Sequence, residues 1–144
     1  MIAVDTNILV YAHREDSPWH ATAAAAIGRM AEGRAAWAIP WPCIHEFLAI
    51  ATHPRIFKTP TPLAAALDQV DAWLEAPTLV VLAEQDGYWP DLRRMLAEGR
   101  VSGALVHDAR IAAICALHGI AELWSADRDF GRFPSLLVRN PLVS

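Results

Sequence analysis

Five acidic residues, Asp5, Glu46, Asp108, Asp127 and Asp129, stand out by the company they keep. Asp5 closes the apolar run Ile2-Ala3-Val4. Glu46 has Pro42, Cys43, Ala49 and Ile50 at its three- and four-residue helical offsets, and Asp108 has Ala104, Leu105, Ile111 and Ala112. Asp127 and Asp129 follow an apolar run that ends at Ser125. A carboxylate on an apolar face is costly to desolvate unless a cation meets it. Several converging carboxylates are hard oxygen donors suited to Mg²⁺ or Mn²⁺, and no Cys or His spacing here resembles a zinc site. The chemistry predicted is metal-dependent and directed at a phosphodiester.

Each acid has a plainer reading when taken alone. Asp5 is placed to cap a helix starting at Thr6, and Asp127 to cap the short segment after it. Asp108 suits the dipole of a helix first turn, and Asp129 could pair with Arg132 in a turn. Glu46 lies too far into its helix to be a cap. Other chemistries have less support. His107, beside Asp108, reads as a surface imidazole. Ser17, Ser102 and Ser125 lack a nucleophile-elbow glycine pattern, and no glycine-rich phosphate loop is present. Trp41 and Trp89 read as core or interface material, with base stacking as the alternative.

These side chains need a scaffold that gathers them. Apolar β-type runs at 2–5, 36–39, 79–82, 121–125 and 136–139 alternate with helical patterns at 7–13, 18–32, 42–53, 62–75, 86–98 and 105–118. Ser17 before Pro18, Thr61 before Pro62, and Pro42 in a first turn are start signals. Gly33, Gly99 and Gly119 fall where left-handed caps are expected. Alternation of this kind predicts one α/β domain over 1–144, with a central, mostly parallel five-stranded sheet flanked by helices. In such a sheet the carboxyl ends of strands and the N-termini of helices share one edge, the usual ligand edge. All five acids are expected on it.

The composition is compatible with this reading. The 144 residues, 54% apolar and 19% charged, suffice for a substantial core and exclude a disordered or fibrous class. No stretch predicts a membrane span or an export leader, and Cys43 and Cys115 read as free buried thiols, so a cytoplasmic protein is expected. The net charge of −4 is unlike that of a typical nucleic-acid binder. Five of the sixteen acids, however, belong to the cluster, where a metal would reverse the local sign. Of the twelve basic residues only Lys58 is lysine, and arginine is the residue suited to bidentate phosphate contacts.

The motifs now form a recognisable series. The opening Ile2-Ala3-Val4-Asp5-Thr6-Asn7-Ile8-Leu9-Val10-Tyr11-Ala12 closely resembles that of PIN-domain nucleases. Trp41-Pro42-Cys43-Ile44-His45-Glu46-Phe47-Leu48 is similar to their second motif. Leu105-Val106-His107-Asp108-Ala109 with Ile111-Ala112-Ala113 is similar to the third, and Ser125-Ala126-Asp127-Arg128-Asp129-Phe130 to the fourth. The resemblance spans essentially the whole chain, in order. The small size and the run Ser102 to Asp108 resemble the VapC-type toxins of bacterial toxin–antitoxin pairs. Ala104 stands where many members carry a polar residue.

That resemblance implies a Mg²⁺-dependent (or Mn²⁺-dependent) endoribonuclease. Asp5, Asp108 and Asp127 would hold the metal, Asp129 would assist, and Glu46 would serve a second metal or the attacking water. The products would carry a 5′-phosphate and a 3′-hydroxyl. Thr6 and Ser125 are candidate hydroxyl contacts. Arg14, Arg93, Arg94, Arg100, Arg110 and Arg128 are candidates for tracking RNA. The implied partners are an RNA substrate and a cognate antitoxin, and the high apolar content adds the expectation of a homodimer. Three rivals are weaker or inseparable. A haloacid-dehalogenase-type phosphatase needs an acid where Asn7 stands and a catalytic lysine better placed than Lys58. A non-catalytic binder with a degenerate site fits poorly with five intact acids. A PIN-fold RNA-processing nuclease without an antitoxin would differ in having no small antitoxin reading frame beside its gene.

Overall fold

The computed structural model describes residues 1–143. Five strands form one sheet: β1 (Ile2–Val4), β2 (Trp37–Pro40), β3 (Leu79–Leu82), β4 (Glu122–Trp124) and β5 (Val138–Arg139). The helices are α1 (Thr6–His13), α2 (His20–Glu32), α3 (Trp41–Ala51), α4 (Leu63–Leu74), α5 (Tyr88–Gly99) and α6 (Val106–Leu117). Single 3₁₀ turns occupy Gly103–Leu105 and Arg128–Arg132.

The strand order is β3-β2-β1-β4-β5, and all four pairings are parallel. The chain therefore builds outward from β1 to β3, then returns through α5 and α6 to lay β4 against the other side of β1. This reversal is a topological switch point, the place at the carboxyl edge where sheets of this kind bind ligands. The central strands are buried as parallel strands covered on both faces must be: every residue of β2 is buried, as are Ala3, Val4, Leu123 and Trp124. A single apolar cluster continues from the sheet into Ile8, Leu9, Ile44, Phe47, Ile111 and Ile114 of the covering helices. No helix among the described residues is long and apolar enough to cross a membrane.

Two local expectations need correction. Helix α2 begins at His20 instead of residue 18, because Ser17 accepts the Trp19 N–H at 3.1 Å and holds residues 17–19 in a turn. Of the three glycines expected to be left-handed caps, only Gly119 is one, with φ of 65°. Gly33 is extended, with φ −75° and ψ −176°. After α5 the left-handed position falls on Arg100, with φ of 49°, and Gly99 has a different reason to be glycine. A Cβ there would lie 2.8 Å from the buried Phe133 ring.

Candidate active site

The register of β1 against β4 builds the centre of the site. Val4 pairs with Trp124, so the next residues, Asp5 and Ser125, emerge side by side at the carboxyl edge. The Asp5 N–H donates to the Trp124 carbonyl at 2.9 Å, continuing the ladder. The Ser125 hydroxyl donates to Asp5 Oδ2 at 2.7 Å and accepts the Asp127 N–H at 3.0 Å. One hydroxyl thus orients the first acid and shapes the turn that carries the fourth.

Asn7 completes this stitch. Its Nδ2 lies 3.3 Å from Ser125 Oγ and 3.4 Å from Asp5 Oδ2, and its Oδ1 accepts the Ala126 N–H at 3.1 Å. Nothing in the sequence alone assigns Asn7 a role in the site. The available signal was an amide two residues beyond an acid at a strand end, but its partners lie 118 and 119 residues away and only the β1–β4 register brings them near. Cys43, on the first turn of α3, donates its thiol to Asp5 Oδ1 at 3.6 Å. Burial pushes that thiol well above its ordinary pKa, so it remains a proton donor and not a thiolate ligand.

Glu46 comes from the second turn of α3 and is half-buried. The Thr6 hydroxyl donates to its Oε2 at 2.6 Å, tying α3 to the start of α1. Thr6 and Ser125, expected as direct hydroxyl contacts of the reacting groups, are engaged with carboxylates and hold them in place. Asp108 sits in the first turn of α6. Its carboxyl oxygen, with those of Asp127 and Asp129, forms a group in which all three atoms lie within 4.8 Å of one another. Asp5 lies outside this tight trio, deeper at the strand end, so the closest grouping differs from the expected set Asp5, Asp108 and Asp127.

The plainer readings separate at this point. Asp5 occupies the N-cap position of α1 but makes no side-chain cap. Asp127 does cap, accepting the Asp129 N–H at 2.9 Å through Oδ1, while also contributing to the trio. Arg132 donates to the Gly99 carbonyl at 3.3 Å and forms no ion pair with Asp129. Desolvation is severe only for Asp5, which is 4% exposed; Glu46 and Asp108 are half-buried and Asp129 is exposed.

Electrostatics mark the rim as short of positive charge. Burial, opposed by the Ser125 hydrogen bond, pushes Asp5 up to about 6. Asp108 is also pushed up to about 6, by partial burial and then by repulsion from Asp127, Asp5, Asp129 and Glu46. The ion pairs of the described residues, Arg14–Asp16, Arg94–Asp91, Arg110–Glu84 and Arg139–Glu122, include none of these five acids. The donor set is all oxygen, crowded and uncompensated by the protein's own cations, which fits a hard divalent ion. Of the arginines expected to track RNA, Arg14, Arg94 and Arg110 are committed to ion pairs. Arg93, Arg100 and Arg128 are exposed, and no ion pair among the described residues involves them.

The PIN domain model matches residues 2–136. Ribonuclease VapC48 of Mycobacterium tuberculosis is 32% identical over 137 residues, covering 95% of this chain and 94% of its own. VapC ribonuclease Mb2897 of Mycobacterium bovis is 36% identical over 142 residues, covering 99% and 96%. Among solved structures, VapBC2 of Rickettsia felis bound to a promoter DNA fragment superposes with a TM-score of 0.67 at 21% identity, over 97% of this chain and 98% of that one, and shares the fold. A sheet that gathers five acids at its switch point, a domain match across nearly the full length, and relatives above 30% identity agree: the chain belongs to the PIN-domain family and, within it, to the VapC ribonucleases.

Proposed function

We propose that residues 1–144 act as one catalytic domain, a Mg²⁺- or Mn²⁺-dependent endoribonuclease whose active site is the rim of Asp5, Glu46, Asp108, Asp127 and Asp129. The observation that carries this reading is the set of acids gathered at one sheet edge without an ion-pair partner among the described residues. Asp5, Asp108 and Asp127 would hold the cation, with Asp129 beside them. Such an ion supplies Lewis acidity, making water a better nucleophile near neutral pH and offsetting charge on a phosphate. Ser125 and Asn7 keep the Asp5 carboxylate turned to the rim. Glu46, fixed by Thr6, orients the water for in-line attack on phosphorus. The bond to the 3′-oxygen breaks, leaving a 5′-phosphate and a 3′-hydroxyl, and no protein nucleophile takes part.

We further propose that the chain is the toxin of a toxin–antitoxin pair and a homodimer. Its relatives are VapC proteins, and the solved neighbour from Rickettsia felis is a VapBC assembly. Exposed Leu63, Leu67 and Leu74 run along α4, supplying apolar surface for a partner. An antitoxin segment that closes the site should carry an Arg or Lys able to meet Asp5 and Asp108, since a cation there relieves their repulsion.

Cleavage of RNA by the purified protein tests the chemistry. Activity is expected with Mg²⁺ or Mn²⁺, to vanish in EDTA, and to be abolished by Asp5→Asn without loss of fold. Full cleavage in EDTA, or by the Asp5→Asn protein, would overturn the assignment of the acids.

A further inference from the structure

Beside the acid rim, α3 and α6 face one another across an open cleft of ≈ 320 Å³ lined by Pro42, His45, Glu46, Ala49, His107 and Arg110. Helical spacing explains the lining: 42, 45, 46 and 49 share one face of α3, and 107 and 110 one face of α6. Glu46 belongs to both the rim and the cleft, so an occupant of the cleft adjoins the acids. The remaining lining differs in kind. Two imidazoles and a guanidinium replace the carboxylates, beside the apolar Pro42 and Ala49.

Trp41 is not part of this lining; it lies one turn before His45, is 38% exposed, and its ring stacks on the His45 imidazole with centroids 6.3 Å apart and planes at 29°. Arg110 Nε donates to Glu84 Oε1 at 2.7 Å, which anchors the guanidinium at the cleft margin. A flat aromatic surface carried by one helix, next to an anchored guanidinium, is what a single unstacked base requires. Sequence-specific recognition of RNA works largely on such splayed bases, stacked on aromatic rings and hydrogen-bonded at their edges.

We propose that this cleft is a base-binding subsite: it takes the nucleotide next to the scissile phosphate, with the base on the Trp41–His45 pair and polar contacts from His107 and Arg110. The inference rests on the endoribonuclease reading of the rim and deepens it, because it assigns sequence preference at the cut to residues 41, 45, 107 and 110. Arg110 acts there as a substrate contact and not as a general tracker of the backbone.

Binding and cleavage test it separately. Fluorescence anisotropy of a labelled single-stranded RNA on the Asp5→Asn protein, with Mg²⁺, reads the cleft without turnover. Adding Trp41→Ala or Arg110→Ala is expected to weaken binding about five- to tenfold, and Trp41→Phe to restore most of the loss at position 41. In the cleavage-competent protein the same changes are expected to raise KM and redistribute the mapped 5′ ends. Unchanged affinity and unchanged cut sites, in variants that melt like their parent, would overturn the subsite. So would weakening confined to antitoxin binding, which would give the cleft to a protein partner. RNA binding that depends on the cleft, in a parent that cleaves no RNA, would overturn the chemistry proposed for the acids while supporting the subsite.

Discussion

At Asp5 two demands oppose one another. The strand end buries the carboxyl, which favours the protonated form, while Ser125 donates a hydrogen bond that favours the ionised one; burial dominates, and the group is pushed up to about 6. Asp108 reaches about 6 for a related reason, crowding by other acids adding to partial burial. Both folded values exceed the ordinary 3.8, so the stability they contribute is full below 3.8 and lost as pH rises through about 6. For Asp5, a rise from 3.8 to about 6 corresponds to about 3 kcal/mol. Thermal melts in EDTA should therefore show stability attributable to this site falling between about pH 4 and pH 7. Mg²⁺ should flatten that fall, because an ion bound only by the folded state stabilises it. Asp5→Asn should flatten it in EDTA as well. A metal-free melting temperature that climbs steadily over this range in the parent, with no difference in Asp5→Asn, would contradict the picture.

Among the elements, α5 supports the site without contributing to it. Its last residue, Gly99, lets the buried Phe133 ring approach to a distance no Cβ tolerates, and Phe133 directly follows the turn Arg128–Arg132 that carries Asp129. Arg132 adds a hydrogen bond from that turn to the Gly99 carbonyl. Gly99→Ala should cost about 1–3 kcal/mol, as overpacking against a buried ring does. It should also weaken Mg²⁺ binding, read by isothermal titration, because the turn bearing Asp127 and Asp129 must shift. The Gly28→Ala control, where a Cβ meets nothing within 4 Å, should do neither. This contact shows where the sequence stops being readable. The alternation of apolar runs, the prolines at helix starts and the acids at run ends disclose the elements and their common edge, since those signals are local. The space beside Gly99 is set by a phenylalanine 34 positions further on, and the partners of Asn7 are set by strand order. Strand alternation implies parallel pairing but does not say that β4 lies against β1.

For the whole molecule, apolar surface is the quantity to account for. Leu63, Leu67 and Leu74 on α4, Trp19 before α2 and Ile56 before α4 are all exposed. Sedimentation of the isolated protein at tens of micromolar should show a two-fold dimer, and Leu67→Glu should weaken dimer or antitoxin binding. A cognate antitoxin should compete with Mg²⁺, and its affinity should fall for Asp5→Asn, where a carboxylate that attracts its Arg or Lys is gone. A monomer at that concentration, or antitoxin binding indifferent to both changes, would refute the assembly proposed.

The pairing of β1 with β4 also sets a timetable. Synthesis proceeds from the N-terminus, so Asp5 and Glu46 emerge well before Ser125, Asp127 and the neighbour strand of β1. Asn7 and Ala126, which close the site across 119 residues, cannot meet until the whole span between them has left the ribosome. A growing polypeptide therefore carries fragments of an acid cluster and no enzyme. The ribonuclease site is a property of the whole span from Asn7 to Ala126, and no shorter stretch of the chain can hold it.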